Sequence, residues 1–163
     1  LKNDYSSVQK MGNRLFASLG VNYKKLIMKD ASGLAPNNRV TPQLLVALLK
    51  SAADPNSDIA SLPTYMATSG DGGTLGGRFI AYNKTTKRNE LVIPRGSIRA
   101  KTGYIGGLYS LAGLVTTPGA EPHVIAFAIF ARSDSAHKKY VGYGTKDAID
   151  AVVEKLYLCG PSL

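Results

Sequence analysis

The sequence predicts an α+β fold in which an antiparallel sheet is flanked by helices. Three strand-like runs, around residues 94–104, 108–117 and 123–132, follow one another with short connections, and short connections make neighbouring strands antiparallel pairs. Helical spacing of apolar residues precedes these runs and returns after them. With 163 residues, 44% of them hydrophobic and 19% charged, the chain has the size of one ordinary domain and enough apolar material for a core.

Taken in order, residues 1–6 are polar and read as an entry segment. Ser7 to Leu19 reads as an amphipathic helix with Val8, Met11, Leu15, Phe16 and Leu19 on one face. Ser6 or Ser7 would cap it and Gly20 would stop it. A short apolar stretch, Lys25 to Met28, leads into the turn Asp30-Ala31-Ser32-Gly33-Leu34. Thr41 is placed to cap a second helix with Pro42 at its first position, carrying Leu44, Leu45, Leu48 and Leu49. Asp54-Pro55-Asn56-Ser57 breaks that helix, and Ile59 to Met66 holds a short helical turn. Ser69 to Arg78 is a Gly-rich loop in which Asp71 and Arg78 could pair, and Phe79 to Glu90 reads as polar surface.

Strand character resumes at Ile93 and runs to Tyr104, where Ile98, Ala100 and Thr102 alternate with Arg99, Lys101 and Gly103. Gly106-Gly107 supplies the positive φ of a tight reversal into Leu108 to Thr116. His123 to Arg132 is nearly continuous in apolar residues, as suits the middle of a sheet covered on both faces. Ser133 to Lys139 reads as a loop. Tyr140 to Leu158 closes the chain as a helix with Ala148, Ile149, Val152, Val153, Leu156 and Tyr157 toward the core.

Composition removes several function classes. The net charge of +9 favours anionic partners such as nucleic acid, acidic lipid or an anionic wall polymer. No basic run reaches five residues, and no aromatic-and-basic strand motif accompanies the charge, so a nucleic-acid binder is disfavoured. The single Cys159 cannot form an internal disulfide, and with His123 and His137 it offers no metal-ligand spacing, so neither a metal nor a cofactor is expected. The Gly-rich loop fits neither the dinucleotide nor the P-loop pattern. No segment has the form of a signal peptide, and the longest apolar run, Val124 to Ala131, is too short to span a bilayer.

Lys101-Thr102-Gly103 matches the K-T-G element of the penicillin-recognising serine enzymes. Three further stretches extend the match in the right order. Asp30-Ala31-Ser32-Gly33-Leu34 followed by Asn38-Arg39-Val40-Thr41-Pro42 resembles the D-G-S-G-L-S…N-R-V-T-P signature of one branch. Leu62-Pro63 with Gly70-Asp71-Gly72-Gly73-Thr74-Leu75 resembles its L-P…G-x-D-G-T-L loop with one extra residue, and Ser110-Leu111-Ala112-Gly113-Leu114-Val115 resembles its S-L-A-G-Y-V strand. The sequence thus resembles the D-alanyl-D-alanine carboxypeptidase/endopeptidase family, the class C penicillin-binding proteins of serine-peptidase S13 type. The resemblance implies a β-lactamase/transpeptidase-like fold and hydrolysis of a terminal D-Ala-D-Ala bond through an acyl-serine intermediate. It also implies an extracytoplasmic location, with wall peptides and β-lactams as ligands.

The departures matter as much. The family's S-x-N is absent. An S-x-x-K, Ser7-Val8-Gln9-Lys10, sits where the family has a helix following S-x-N. The expectation is therefore that residues 1–163 correspond to the C-terminal portion of a transpeptidase-like domain, inactive alone and completed by an N-terminal half bearing the nucleophile. In that frame the resemblance assigns Lys101 as the catalytic cation beside the S-x-N serine, Thr102 as the carboxylate-binding hydroxyl, Gly103 as the close-approach position and the Tyr104 N–H as an oxyanion donor. Tyr104 replaces the Thr or Ser that the family carries after K-T-G. The competing expectation is a non-catalytic module of the same fold that binds wall peptides or a protein partner. Ser32 reads as a turn residue bonding local backbone rather than as a nucleophile.

Overall fold

A computed structural model describes residues 5–132 and 141–160. Its elements are α1 (Tyr5–Ser18), α2 (Pro42–Ala53), β1 (Ala67–Thr68), β2 (Ile80–Asn83), β3 (Arg88–Leu91), β4 (Ile98–Ile105), β5 (Leu108–Thr116), β6 (Val124–Arg132) and α3 (Val141–Cys159), with short 3-10 turns at Leu62–Tyr65 and Gly73–Leu75. The main sheet has the order β1-β4-β5-β6, with every pair antiparallel. The expected loop over residues 133–139 and the expected start of the last helix at Tyr140 lie outside the described residues, as does most of the entry segment.

Alternation divides the sheet into two faces. Ile98, Ala100, Leu111, Val115 and Phe127 pack with Ile149, Val153 and Tyr157 of α3, together with Leu75, Phe79 and Ile93, in the larger core. Arg99 and Lys101, with Ala112, Leu114, Ala126 and Ala128 across the ladder, face the other way, where α2 lies against β5 and β6. A smaller cluster of Phe16, Leu26 and Leu44 joins α1 to α2.

Several sequence expectations are corrected. α1 begins at Tyr5, so Ser6 and Ser7 lie inside the helix and neither caps it. Its buried line runs through Gly12 and Phe16, while Met11 is 69% exposed and Leu15 also faces outward. A Cβ at Gly12 would meet Met28 Sδ, so the glycine lets that side chain lie directly on the helix. Gln9 fixes the same contact: it accepts from Met28 N–H (2.8 Å) and donates to the Leu26 carbonyl (3.2 Å). α2 follows its caps closely. Thr41 Oγ1 accepts from Leu44 N–H (3.3 Å), Pro42 opens the helix, and the extended backbone of Asp54 ends it.

Residues 80–90 are surface, as expected, and are ordered there as a β2–β3 hairpin in which Ile80 pairs with Leu91; Phe79 departs from the expectation, being buried at a positive φ of 58°. Arg78 does not pair with Asp71. It reaches α3 and bonds Asp150 through Nε (2.9 and 3.2 Å), while Asp71 takes Arg95 (3.1 Å). β4 starts at Ile98 rather than Ile93, because Pro94 to Ser97 forms a turn in which Gly96 adopts φ 86°. β6 is an edge strand among the described residues, and β5 occupies the middle of the sheet. Among the described side chains of α3, the Ile149–Val153–Tyr157 stripe is the buried one. Val152 and Ala148 point to solvent, because consecutive helical residues are about 100° apart around the axis and one stripe suffices against a sheet.

Candidate active site

β4 carries the K-T-G residues into a two-residue hairpin. Gly106 and Gly107 adopt φ of 53° and 82°, the paired positive values that a twist-matched reversal needs, and Ile105 pairs with Leu108. On its outer side β4 is paired only at Arg99 and Ala100, opposite Thr68 and Ala67. The chain before Ala67 is the 3-10 turn Leu62–Tyr65, which touches β4 but does not pair with it as a strand, so no described strand covers Lys101 to Ile105.

The ladder determines which main-chain groups point off that open edge. Ser69 N–H donates to the Ile98 carbonyl (2.9 Å), and Ile98 N–H donates to Ser69 Oγ (3.2 Å). The polar groups of Ile98 therefore face outward, away from β5. Direction alternates along a strand, so Ala100, Thr102 and Tyr104 also direct their N–H and C=O outward, whereas Lys101 and Gly103 direct theirs to β5. The fully buried Ser69 anchors this arrangement, and its carbonyl also accepts from Gly96 N–H (3.0 Å).

Side chains distribute oppositely about the strand. Lys101 stands on the α2 face and folds back so that Nζ donates to the Thr102 carbonyl (2.7 Å). Thr102 and Tyr104 stand on the α3 face. Tyr104 is 62% exposed, and its ring lies 4.6 Å from that of its cross-strand partner Tyr109, tilted by 47°. Desolvation pushes the Tyr109 phenol above its ordinary pKa, and the neighbouring Tyr104 adds to the shift. Gly103 lies opposite Ser110, whose Oγ occupies the space a Cβ would need. The structure thus places Lys101, Thr102, Gly103 and Tyr104 along one open edge, but it splits the lysine and threonine side chains between the two faces.

The first motif stretch of the resemblance, Asp30 to Asn38, is a loop built around one carboxylate. Asp30 accepts from Ser32 Oγ (2.7 Å), from the N–H groups of Gly33 (3.1 Å), Leu34 (3.1 Å) and Ala35 (3.0 Å), and from Asn38 Nδ2 (2.6 Å). These bonds lower its pKa to about 2, with Asn38 and Ser32 the leading causes. Asn38 in turn accepts from Lys29 N–H (2.7 Å), and Ile27 and Arg39 exchange backbone bonds. Ser32 is thereby a loop-holding residue. Ser7 and Lys10 are exposed on α1, a helix held in the Phe16–Leu26–Leu44 cluster rather than in the sheet core.

Comparison with known proteins decides the family. Residues 4–156 match the model of the D-Ala-D-Ala carboxypeptidase 3 (S13) family. The chain belongs to that family. It is 33% identical over 132 residues to carboxypeptidase Rv3627c of Mycobacterium tuberculosis, covering 80% of this chain and 25% of that protein. It is 31% identical over 111 residues to the D-alanyl-D-alanine carboxypeptidase DacB of Haemophilus influenzae, covering 68% of this chain and 21% of that one. This S13 chain therefore spans about a quarter of the length of these relatives. Its fold matches the crystal structure of Haemophilus influenzae penicillin-binding protein 4 with a TM-score of 0.67 at 24% identity, over 90% of this chain and 30% of that one. It also matches the same protein complexed with a β-lactam, with a TM-score of 0.71 at 22% identity, over 95% of this chain and 34% of that one.

Sequence reasoning missed Ser110, Tyr109 and the two-residue strand β1. Ser110 reads only as the start of a strand motif and Tyr109 only as part of an apolar run, and their relation to Gly103 and Tyr104 exists only in the β4–β5 register. β1 is too short to show a period.

Proposed function

We propose that this S13 chain forms the substrate-binding wall of a serine-type D-Ala-D-Ala carboxypeptidase or endopeptidase that cleaves peptidoglycan peptides outside the cytoplasm through an acyl-serine intermediate. One observation carries the proposal: the outward-facing, unpaired edge of β4 at Thr102 and Tyr104, flanked by Lys101. An extended peptide adds to such an edge as a further strand, with main-chain bonds supplying affinity. The Thr102 hydroxyl binds the terminal carboxylate. The Tyr104 N–H donates to the oxygen of the scissile carbonyl as it becomes an oxyanion, where a preorganised donor is most effective. In this fragment the Lys101 ammonium is satisfied by the Thr102 carbonyl. In the complete site it turns to the serine of S-x-N and lowers the cost of negative charge there.

The nucleophilic serine and its base come from a segment outside this chain, an N-terminal half of the same domain. The chain covers 25% of the mycobacterial relative and 21% of the Haemophilus one, and Ser7 stands exposed on a helix of the smaller cluster. Intact-mass analysis after incubation with a labelled penicillin tests this. The 163-residue chain alone is expected to take up no label, and the full-length protein one label on a serine outside it. An adduct on Ser7 would overturn the assignment.

A further inference from the structure

We propose that Lys146 on α3 is a second carboxylate-binding cation of this site, acting on the face of β4 opposite to Lys101. The proposal rests on the functional reading above and adds to it a residue far along the chain. Three observations carry it.

The first is which face the carboxylate reaches. Thr102, the hydroxyl proposed to hold the terminal carboxylate, projects toward α3, because it alternates with Lys101 and shares the face of Ile98 and Ala100 in the α3-packed core. The Lys101 ammonium lies on the other face. A ligand carboxylate bonded to Thr102 is therefore on the α3 side of the strand.

The second is where Lys146 lies. Its Nζ stands 5.9 Å from the centre of the Tyr109 ring, within the range of a cation–π contact. Tyr109 is the register partner of Tyr104 and the diagonal neighbour of Thr102 across the β4–β5 ladder. Thr102, Tyr104, Tyr109 and Lys146 thus form one continuous patch at the hairpin end of the sheet, beside the open edge.

The third is that no ion pair among the described residues holds Lys146. On a helix its natural partner is the acid four residues on, Asp150. That carboxylate is taken by Arg78, which bonds it through both Nε and a terminal nitrogen. The ion pairs among the described residues are Arg78–Asp150 and Arg95–Asp71, and neither includes Lys146. Arg78 thereby leaves an exposed ammonium resting on an aromatic face, free to swing about four rotatable bonds toward an anion at Thr102. The ligand class is a peptide or β-lactam with a free carboxylate next to the bond that is opened.

The test is acylation of the full-length enzyme by a penicillin and by the methyl ester of the same penicillin. The ratio of the two second-order acylation constants is measured within each variant, so it does not depend on the fraction folded. Lys146→Gln is expected to lower the acid-to-ester ratio by about three- to tenfold, the scale of one partly exposed charge contact, and Lys146→Arg to keep it within twofold of wild type. In wild type the ratio should fall with added salt, and in Lys146→Gln it should fall less. A ratio unchanged in Lys146→Gln, with wild type acylated normally, overturns the role of Lys146 and leaves the functional reading standing. Failure of wild type to be acylated by either compound overturns the functional reading, and this proposal with it.

Discussion

Replacing Gly103 and Gly113 by alanine tests how the K-T-G strand is packed against its neighbour. Neither glycine has a positive φ, so neither is needed for backbone conformation. In a strand interior, Gly→Ala should stabilise by about 0.5–1 kcal/mol through the unfolded chain's lost freedom. What opposes this differs between the two sites. A Cβ on Gly103 meets Ser110 Oγ, while the next atom, Ser110 Cβ, is at 3.8 Å. One hydroxyl must leave its rotamer, at about 0.5–1.5 kcal/mol. Gly103→Ala should therefore lie between about 0.5 kcal/mol stabilising and about 1 kcal/mol destabilising in wild type. In a Ser110→Ala background the obstacle is gone, and the same change should stabilise by about 0.5–1 kcal/mol. A Cβ on Gly113 meets the Arg99 carbonyl and the Cα and Cβ of Ala100. These are backbone or backbone-fixed atoms that cannot rotate away, so Gly113→Ala should cost about 3 kcal/mol. Urea unfolding of the four variants Gly103→Ala, Ser110→Ala, their double and Gly113→Ala reads these values directly. Equal effects of Gly103→Ala in the two backgrounds, or a Gly113→Ala protein as stable as wild type, would refute the packing argument.

Asp150→Ala should destabilise by about 3 kcal/mol, because it leaves the Arg78 guanidinium, 13% exposed, without its partner; the double change with Arg78→Met should recover part of that, read from thermal midpoints. The Asp30 carboxyl is held at about 2, below its unfolded value, so its contribution to stability is complete above the ordinary carboxylate range and is lost as pH falls toward 2. Asp30→Asn should flatten that acid limb in a pH series of urea midpoints, and an unchanged limb would count against the loop's role. Asp150 behaves oppositely, its pKa being raised first by desolvation against the pull of Arg78. Its share of stability falls as pH rises from the unfolded carboxylate value to the raised folded one. In the full-length enzyme, Thr102→Val should lower kcat/KM for carboxylate substrates roughly ten- to a hundredfold with folding nearly intact. Lys101→Ala should lower it further, and stopped-flow acylation alongside melting temperatures separates both from a hairpin lysine of no consequence.

The sequence alone determined the parts that depend on local pattern. Period-2 alternation from Ile98 to Thr102, the Gly106-Gly107 reversal and the short connections led to three strands in sequence order and antiparallel, as observed. Thr41 and Pro42 marked the start of α2 because capping is a contact between residues three apart. The four motifs in order were enough to reach the family. The tertiary structure decided whatever depends on residues distant in the chain. Met11 reads as core and stands in solvent because the α1 contact is made by Gly12 against Met28, a fit of shape that hydrophobicity does not encode. Arg78 reads as a partner of nearby Asp71 and bonds Asp150, 72 residues away. The openness of the β4 edge likewise follows from where β1 stops, after pairing with Arg99 and Ala100 alone. Helical and strand periods repeat over a few residues and are visible in one dimension. Ion pairs, register neighbours and the end of an edge strand depend on how separate segments meet, and the chain's order carries no period for that.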